Sequence, residues 1–244
     1  VGSGQNVQLN FEQPPSNGAA ISQYEVKTYA ADGELMSTAT TSLTSYLAKA
    51  LAYNTSYSFE LKAQNARGWG QSVNISAATL ALRCDTPTMQ RVAKSNITTE
   101  SIAVSWAKPV NERGSQVLRY FLEVKSAGIQ VSNFTLPPSD TTMMIPKLQP
   151  YTEYTIRVQA TTADASKNSF FSEEALDTDN ALVRTLPSVP GAPQSVTAVG
   201  SGQNVQLNFE QPPSNGAAIS QYEVKTYAAD GELMSTATTS LTSY

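Results

Sequence analysis

Few residues in this chain could do chemistry. It has no histidine among 244 residues and a single cysteine, Cys84, so the commonest general base and the commonest metal ligand are both missing. No nucleophile–base–acid set can be assembled, and no catalytic, metal or cofactor-binding residue is assigned. The carboxylate pairs Glu173-Glu174 and Asp177-Asp179 lack the regular Asp/Asn spacing and the glycine of a calcium loop, and they read as solvated charge. Cys84 has no internal partner. An odd cysteine in a secreted protein points to an intermolecular disulfide, and the competing reading is a reduced thiol at a junction. Four N-x-S/T sequons begin at Asn54, Asn74, Asn96 and Asn133. The 14 asparagines and the Ser/Thr content would produce roughly three such sequons by chance, so position matters more than number. Asn54, Asn96 and Asn133 fall in polar segments expected to face solvent, as glycan acceptors must. One further run, Arg67-Gly68-Trp69-Gly70, pairs a cation with an aromatic ring in a turn. There an exposed Trp69 beside Arg67 would form a partner-contact loop, unless the ring folds down on neighbouring strands.

The elements that position these residues are short strands. Val7, Leu9 and Phe11 alternate with Gln8 and Asn10, and Tyr24 and Val26 with Glu25 and Lys27. Tyr57, Phe59, Leu61 and Ala63 again have polar residues between them, and a last strand ends near Thr79. A second unit repeats the layout with Ile102, Val104 and Trp106, then Tyr120, Leu122 and Val124, then Met143 and Ile145, then Tyr154, Ile156, Val158 and Ala160. Period-2 alternation broken by Pro/Gly/Asn turns, about seven strands per roughly 100 residues, predicts an all-β sandwich. No helical periodicity of useful length occurs.

A repeat organises the chain. Residues 1–46 recur without a change at 199–244, an offset of 198. Both ends fall within strands, so the chain reads as a window on a longer array of near-identical units. Exchange of strands between molecules is the alternative.

The motifs LNFEQP (9–14), ISQYEVKTY (21–29), LAYNTSYSFELKAQNARGWG (51–70), SIAVSW (101–106) and LQPYTEYTIRVQA (148–160) resemble the fibronectin type III family along the whole chain. In the second unit Trp106 and Tyr154 match its strand-B tryptophan and corner tyrosine; in the first, Tyr57 matches the corner tyrosine and Asn65–Gly70 the family's Asn/Gly run before the last strand. Phe11 stands where Trp is usual, and Tyr53 replaces the corner proline. The resemblance implies tandem immunoglobulin-like antiparallel β-sandwich domains, two per 198-residue repeat. These are a domain over 1–80 lacking its first strand, a complete domain over 81–186, and over 187–244 the start of a third, truncated domain identical in sequence to the first. It also implies that the loop holding Arg67 and Trp69 is of the adhesive kind, although the sequence is not Arg-Gly-Asp. The corner tyrosines should bury their rings and bond backbone through their hydroxyls. Pro187, Pro190 and Pro193 make the second linker stiff, whereas the first, with Pro87 alone, should bend more easily.

Net charge is −4 without a Lys/Arg cluster, which excludes an electrostatic footprint for nucleic acid. No apolar run approaches the roughly 20 residues of a membrane span. The reading is non-enzymatic, extracellular or cell-surface. The leading function is a structural repeat of a fibre, sheath or appendage that self-associates into a filament and carries N-linked glycans. The alternative is a cell-adhesion or receptor ectodomain that binds a protein ligand through domain loops.

Overall fold

A computed structural model describes residues 2–244. The first unit contains β1 (Gly2–Ser3), β2 (Asn6–Asn10), β3 (Ile21–Tyr29), β4 (Leu35–Thr41), β5 (Ser45–Ala48), β6 (Ser56–Asn65), β7 (Gly68–Trp69) and β8 (Val73–Ala78). Strands β1-β2-β5 form one antiparallel sheet. The other runs β4-β3-β6-β7, with β8 also paired to β6. Alternation decides which face is inside. Val7 and Leu9 on β2, Tyr24 and Val26 on β3, and Tyr57 and Phe59 on β6 are buried between the sheets, while their neighbours face out. With no disulfide among the described residues, this core is held by packing.

The second unit repeats the arrangement with β9 (Thr88–Met89), β10 (Ile102–Ala107), β11 (Val117–Ser126), β12 (Ile129–Leu136), β13 (Thr142–Ile145), β14 (Glu153–Thr162) and β15 (Val183–Arg184). Its sheets are β13-β10-β9 and β12-β11-β14-β15. Its core is larger, centred on Trp106, Tyr120, Leu122, Ile145, Ile156 and Val158, and it is drawn wholly from residues 84–183. The aromatic pair at its core has a counterpart in the first unit. Trp106 meets Tyr120 edge-on at 5.5 Å, as Phe11 meets Tyr24 at 4.9 Å.

One segment of the second unit departs from period 2. Ser169, Ser172 and Ala175 donate their N–H groups to Ala160, Val158 and Ile156, so three residues advance for every two on β14. The extra residues are accommodated because Ser169 and Ser172 Oγ accept the N–H groups of Ala160 and Val158 at 2.8 and 3.0 Å. The N–H groups of Ala160 and Val158 are thereby satisfied.

Both corners are built alike. The Tyr57 hydroxyl accepts from Ala52 N at 2.8 Å and the Tyr154 hydroxyl accepts from Gln149 N at 2.8 Å. The partner is thus an N–H donor. Thr79 and Thr185 complete the corners, donating to the carbonyls of Ala52 and Gln149 at 2.6 Å.

The third stretch has β16 (Gln194–Ser201), β17 (Asn204–Glu210), β18 (Tyr222–Tyr227) and β19 (Leu233–Thr239), paired as two hairpins, β16-β17 and β18-β19.

Candidate partner-binding groove in the first unit

The Arg67-to-Gly70 turn closes one end of the first sandwich. Gly68 takes φ +126°, which a side chain would strain, and Gly70 N returns to Ala63 O at 2.8 Å. Asn65 sets the turn against the opposite loop. Its Oδ1 accepts from Arg67 N at 2.8 Å, and its Nδ2 reaches the carbonyls of Ser16 and Ala19 at 3.3 and 3.4 Å. Between the two loops lies an open groove of about 630 Å³, lined among others by Phe11, Pro14, Pro15, Tyr24, Trp69 and Val73.

Trp69 is 40% exposed, so it neither folds fully down nor stands free. One face of its ring receives the Lys62 ammonium, 4.9 Å from the centroid. Lys62 is itself fixed by Glu25 Oε1 at 2.8 Å. Arg67 is exposed, and its guanidinium has no partner among the described residues. The groove therefore presents aromatic and proline surface with a free cation on its rim. That chemistry suits a protein segment with apolar and acidic side chains. Sequence reasoning found Arg67 and Trp69 but missed Asn65 and the two prolines that face them. An Asn at the strand end opposite a Pro-Pro turn was the available signal.

The other sequence candidates do not join this groove. Cys84 requires a correction. It is 3% exposed and belongs to the second unit's core, and burial pushes its thiol pKa up, so a disulfide to another molecule would need the core to open. The four sequon asparagines are exposed: Asn74 on β8, Asn133 on β12, Asn96 at the end of a 3₁₀ turn and Asn54 in the corner. Asn54 Nδ2, the atom a glycan would modify, donates to Gly114 O in the second unit at 3.2 Å, so a sugar there would enter the junction. Asp177 caps a local turn, accepting from Asp179 N and Ala181 N at 2.8 and 2.9 Å, and the Ala181 bond holds its pKa below the usual range. No group of three potential metal ligands occurs among the described residues.

The fibronectin type III domain model matches residues 1–79 and 85–173, more than half of the sequence. The chain belongs to the fibronectin type III family. Among curated proteins, human protein sidekick-1 is 28% identical over 69% of the chain and 8% of its own length. A tyrosine-protein phosphatase Lar-like protein of Caenorhabditis elegans is 24% identical over 93% of the chain and 11% of its own length. The fibronectin type III chain thus spans about a tenth of these relatives. Among solved structures, a two-domain fibronectin type III segment of chicken tenascin superposes with a TM-score of 0.40 at 19% identity, covering 70% of this chain and 91% of that one. No helix among the described residues is long and apolar enough to cross a membrane.

Proposed function

We propose that this chain is a stretch of the ectodomain of a cell-adhesion or receptor protein, and that its first domain binds a protein partner through the groove beside Trp69. The domains belong at the cell surface or in the extracellular space. The observation that carries the reading is the half-exposed Trp69, held by Lys62 beside proline surface and an unpaired Arg67. Interface anchors are enriched in Trp, Tyr and Arg for the area and hydrogen bonding they bring. The relatives support an ectodomain over the fibre unit first expected, since they are protein sidekick-1 and a Lar-like tyrosine-protein phosphatase and neither is named as a fibre component. The phosphatase named in one relative belongs to that protein. Filament formation and glycans at Asn74, Asn96 and Asn133 remain compatible additions to this reading, and occupancy at Asn54 is disfavoured by its junction bond.

The test is binding of fluorescently labelled chain to intact cells, with protease-stripped cells as the control. Binding that is saturable, protease-sensitive and lost in W69A and R67E supports the groove. Binding equal in wild type and both variants, with the fold intact, refutes it.

A further inference from the structure

The two junctions between units share a backbone frame. Leu82 N donates to Arg113 O at 3.0 Å and Asp85 N to Asn111 O at 2.9 Å, as Ser188 N donates to Asn215 O at 3.0 Å and Gly191 N to Pro213 O at 3.1 Å. On the other side Thr79 N and Thr185 N bond Thr55 O and Thr152 O at 3.0 and 3.1 Å. Between these ties lie Leu80-Ala81 in the first junction and Leu186-Pro187 in the second. The pairs differ in stiffness, because the ring of Pro187 fixes its φ and Ala81 has no such restraint.

The contact between corner and turn differs too. At the second junction the Tyr151 ring lies so close over Gly216 that a Cβ there would come within 2.2 Å of it. At the first, Asn54 takes that corner place, left-handed at φ 51° as Tyr151 is at 48°, and its Nδ2 donates to Gly114 O at 3.2 Å. The turn is packed against the corner, since a Cβ on Gly114 would come within 2.6 Å of Asn54 Cβ. The atom that makes the clasping bond is also the glycan acceptor of the sequon Asn54-Thr55-Ser56. Tyr151-Thr152-Glu153 offers no acceptor. A sugar on Nδ2 removes one of its hydrogens and sets a ring against Gly114 and Ser115, beside a cleft of only about 230 Å³. The bond guards Asn54 only after the second domain has folded. Gly114 follows Asn54 by 60 residues, and domains fold N-terminal first during synthesis, so the acceptor is open while its cover is still being made.

We propose that Leu80-Ala81 is a hinge clasped by Asn54, and that N-glycosylation of Asn54 releases the clasp. The modification decides between a fixed and a swinging pair of domains at the first junction, while the second, with Pro187 and Tyr151, is outside its control.

Spin labels on Thr40→Cys and Gln130→Cys, both exposed, read the distance distribution across the first junction in the full chain. Labels on Gln130→Cys and Thr178→Cys, within the second domain, serve as the fold control, and Cys84, 3% exposed, stays unlabelled. In sugar-free chain the distribution is narrow, and N54D, which removes the N–H donor, roughly doubles its width, as expected of domains without a large apolar interface. Chain from cells that N-glycosylate carries sugar on Asn54 by mass spectrometry and gives the broad distribution. S56A from the same cells keeps Asn54, loses the sequon and gives the narrow one. Asn54 and Ser56 are exposed, so neither change threatens folding. The proposal is overturned by an Asn54 without sugar, by sugar-bearing chain as narrow as S56A, or by N54D as narrow as the wild type.

Discussion

Val7 is 0% exposed, and Val205, its counterpart in the identical segment 199–244, is 60% exposed. The hairpins around them barely differ. Tyr24 faces Thr41 and Tyr222 faces Thr239, with a register shift at Thr28/Tyr29 in one copy and Thr226/Tyr227 in the other. The turn bonds repeat, Ala30 N to Glu34 O and Ala228 N to Glu232 O, both at 2.9 Å. Even the aromatic pair is kept, at 4.9 Å for Phe11–Tyr24 and 4.7 Å for Phe209–Tyr222. Turn chemistry and strand pairing are thus encoded within the 46 residues. Burial is not, because much of the core that closes on Val7, including Leu51, Tyr57 and Phe59, lies outside them.

The largest effect expected from this comparison is Phe59→Ala. Phe59 is fully buried on β6, and its loss should cost about 3–5 kcal/mol. Hydrogen exchange should then make β2 and β3 behave like β17 and β18, while the second domain keeps its protection. Next comes Val7→Ala, which should cost about 2 kcal/mol in urea unfolding, against less than about 0.5 kcal/mol for Val205→Ala. Equal costs would mean that the two copies share one environment. Tyr57→Phe and Tyr154→Phe should each cost about 1–2 kcal/mol by removing the acceptor of a partly buried N–H. Unchanged melting in both would remove the corner from the account.

The smallest effect concerns acid. Burial alone would raise the Glu123 pKa, but hydrogen bonds from Arg157 and Lys125 outweigh it and hold the group below its ordinary value of 4.5. A folded-state pKa below the unfolded one gives stability that is complete above the unfolded value and lost as pH falls through the folded one. The second domain should therefore lose stability below about pH 4.5, and E123Q should flatten that part of the profile. In the last segment Glu223 pairs with Lys225 at 2.7 Å and is largely exposed, an ion pair of the kind that contributes little to stability.

The same comparison explains what could be read from sequence. Strands with one buried face were legible from alternation: β2, β3, β6, β10, β11 and β14. The edge strand β4 was missed because Leu35, Met36 and most of its other residues are exposed on both faces, leaving no burial period to read. The 169–175 segment was missed because its bonds fall every third residue. Arg67 and Trp69 were legible as residue types. The groove was not, since it depends on Asn65 bridging loops that lie 46 and 49 residues apart. Cys84 sits in a linker-like sequence, yet its N–H bonds Lys167 O at 3.1 Å and its side chain enters a core assembled from distant strands.

Trp69 on the first domain and Phe170 on the second offer the sharpest contrast for function. Phe170 is 68% exposed and carries Arg83 over its ring at 4.6 Å, so it too is an accessible aromatic–cation pair, but one outside the groove. The most direct measurement is binding of W69A and F170A to the same cells, side by side with the wild-type chain. Loss of at least tenfold in affinity for W69A with F170A unchanged is the predicted result. Loss in F170A with W69A unaffected would contradict the assignment of the groove.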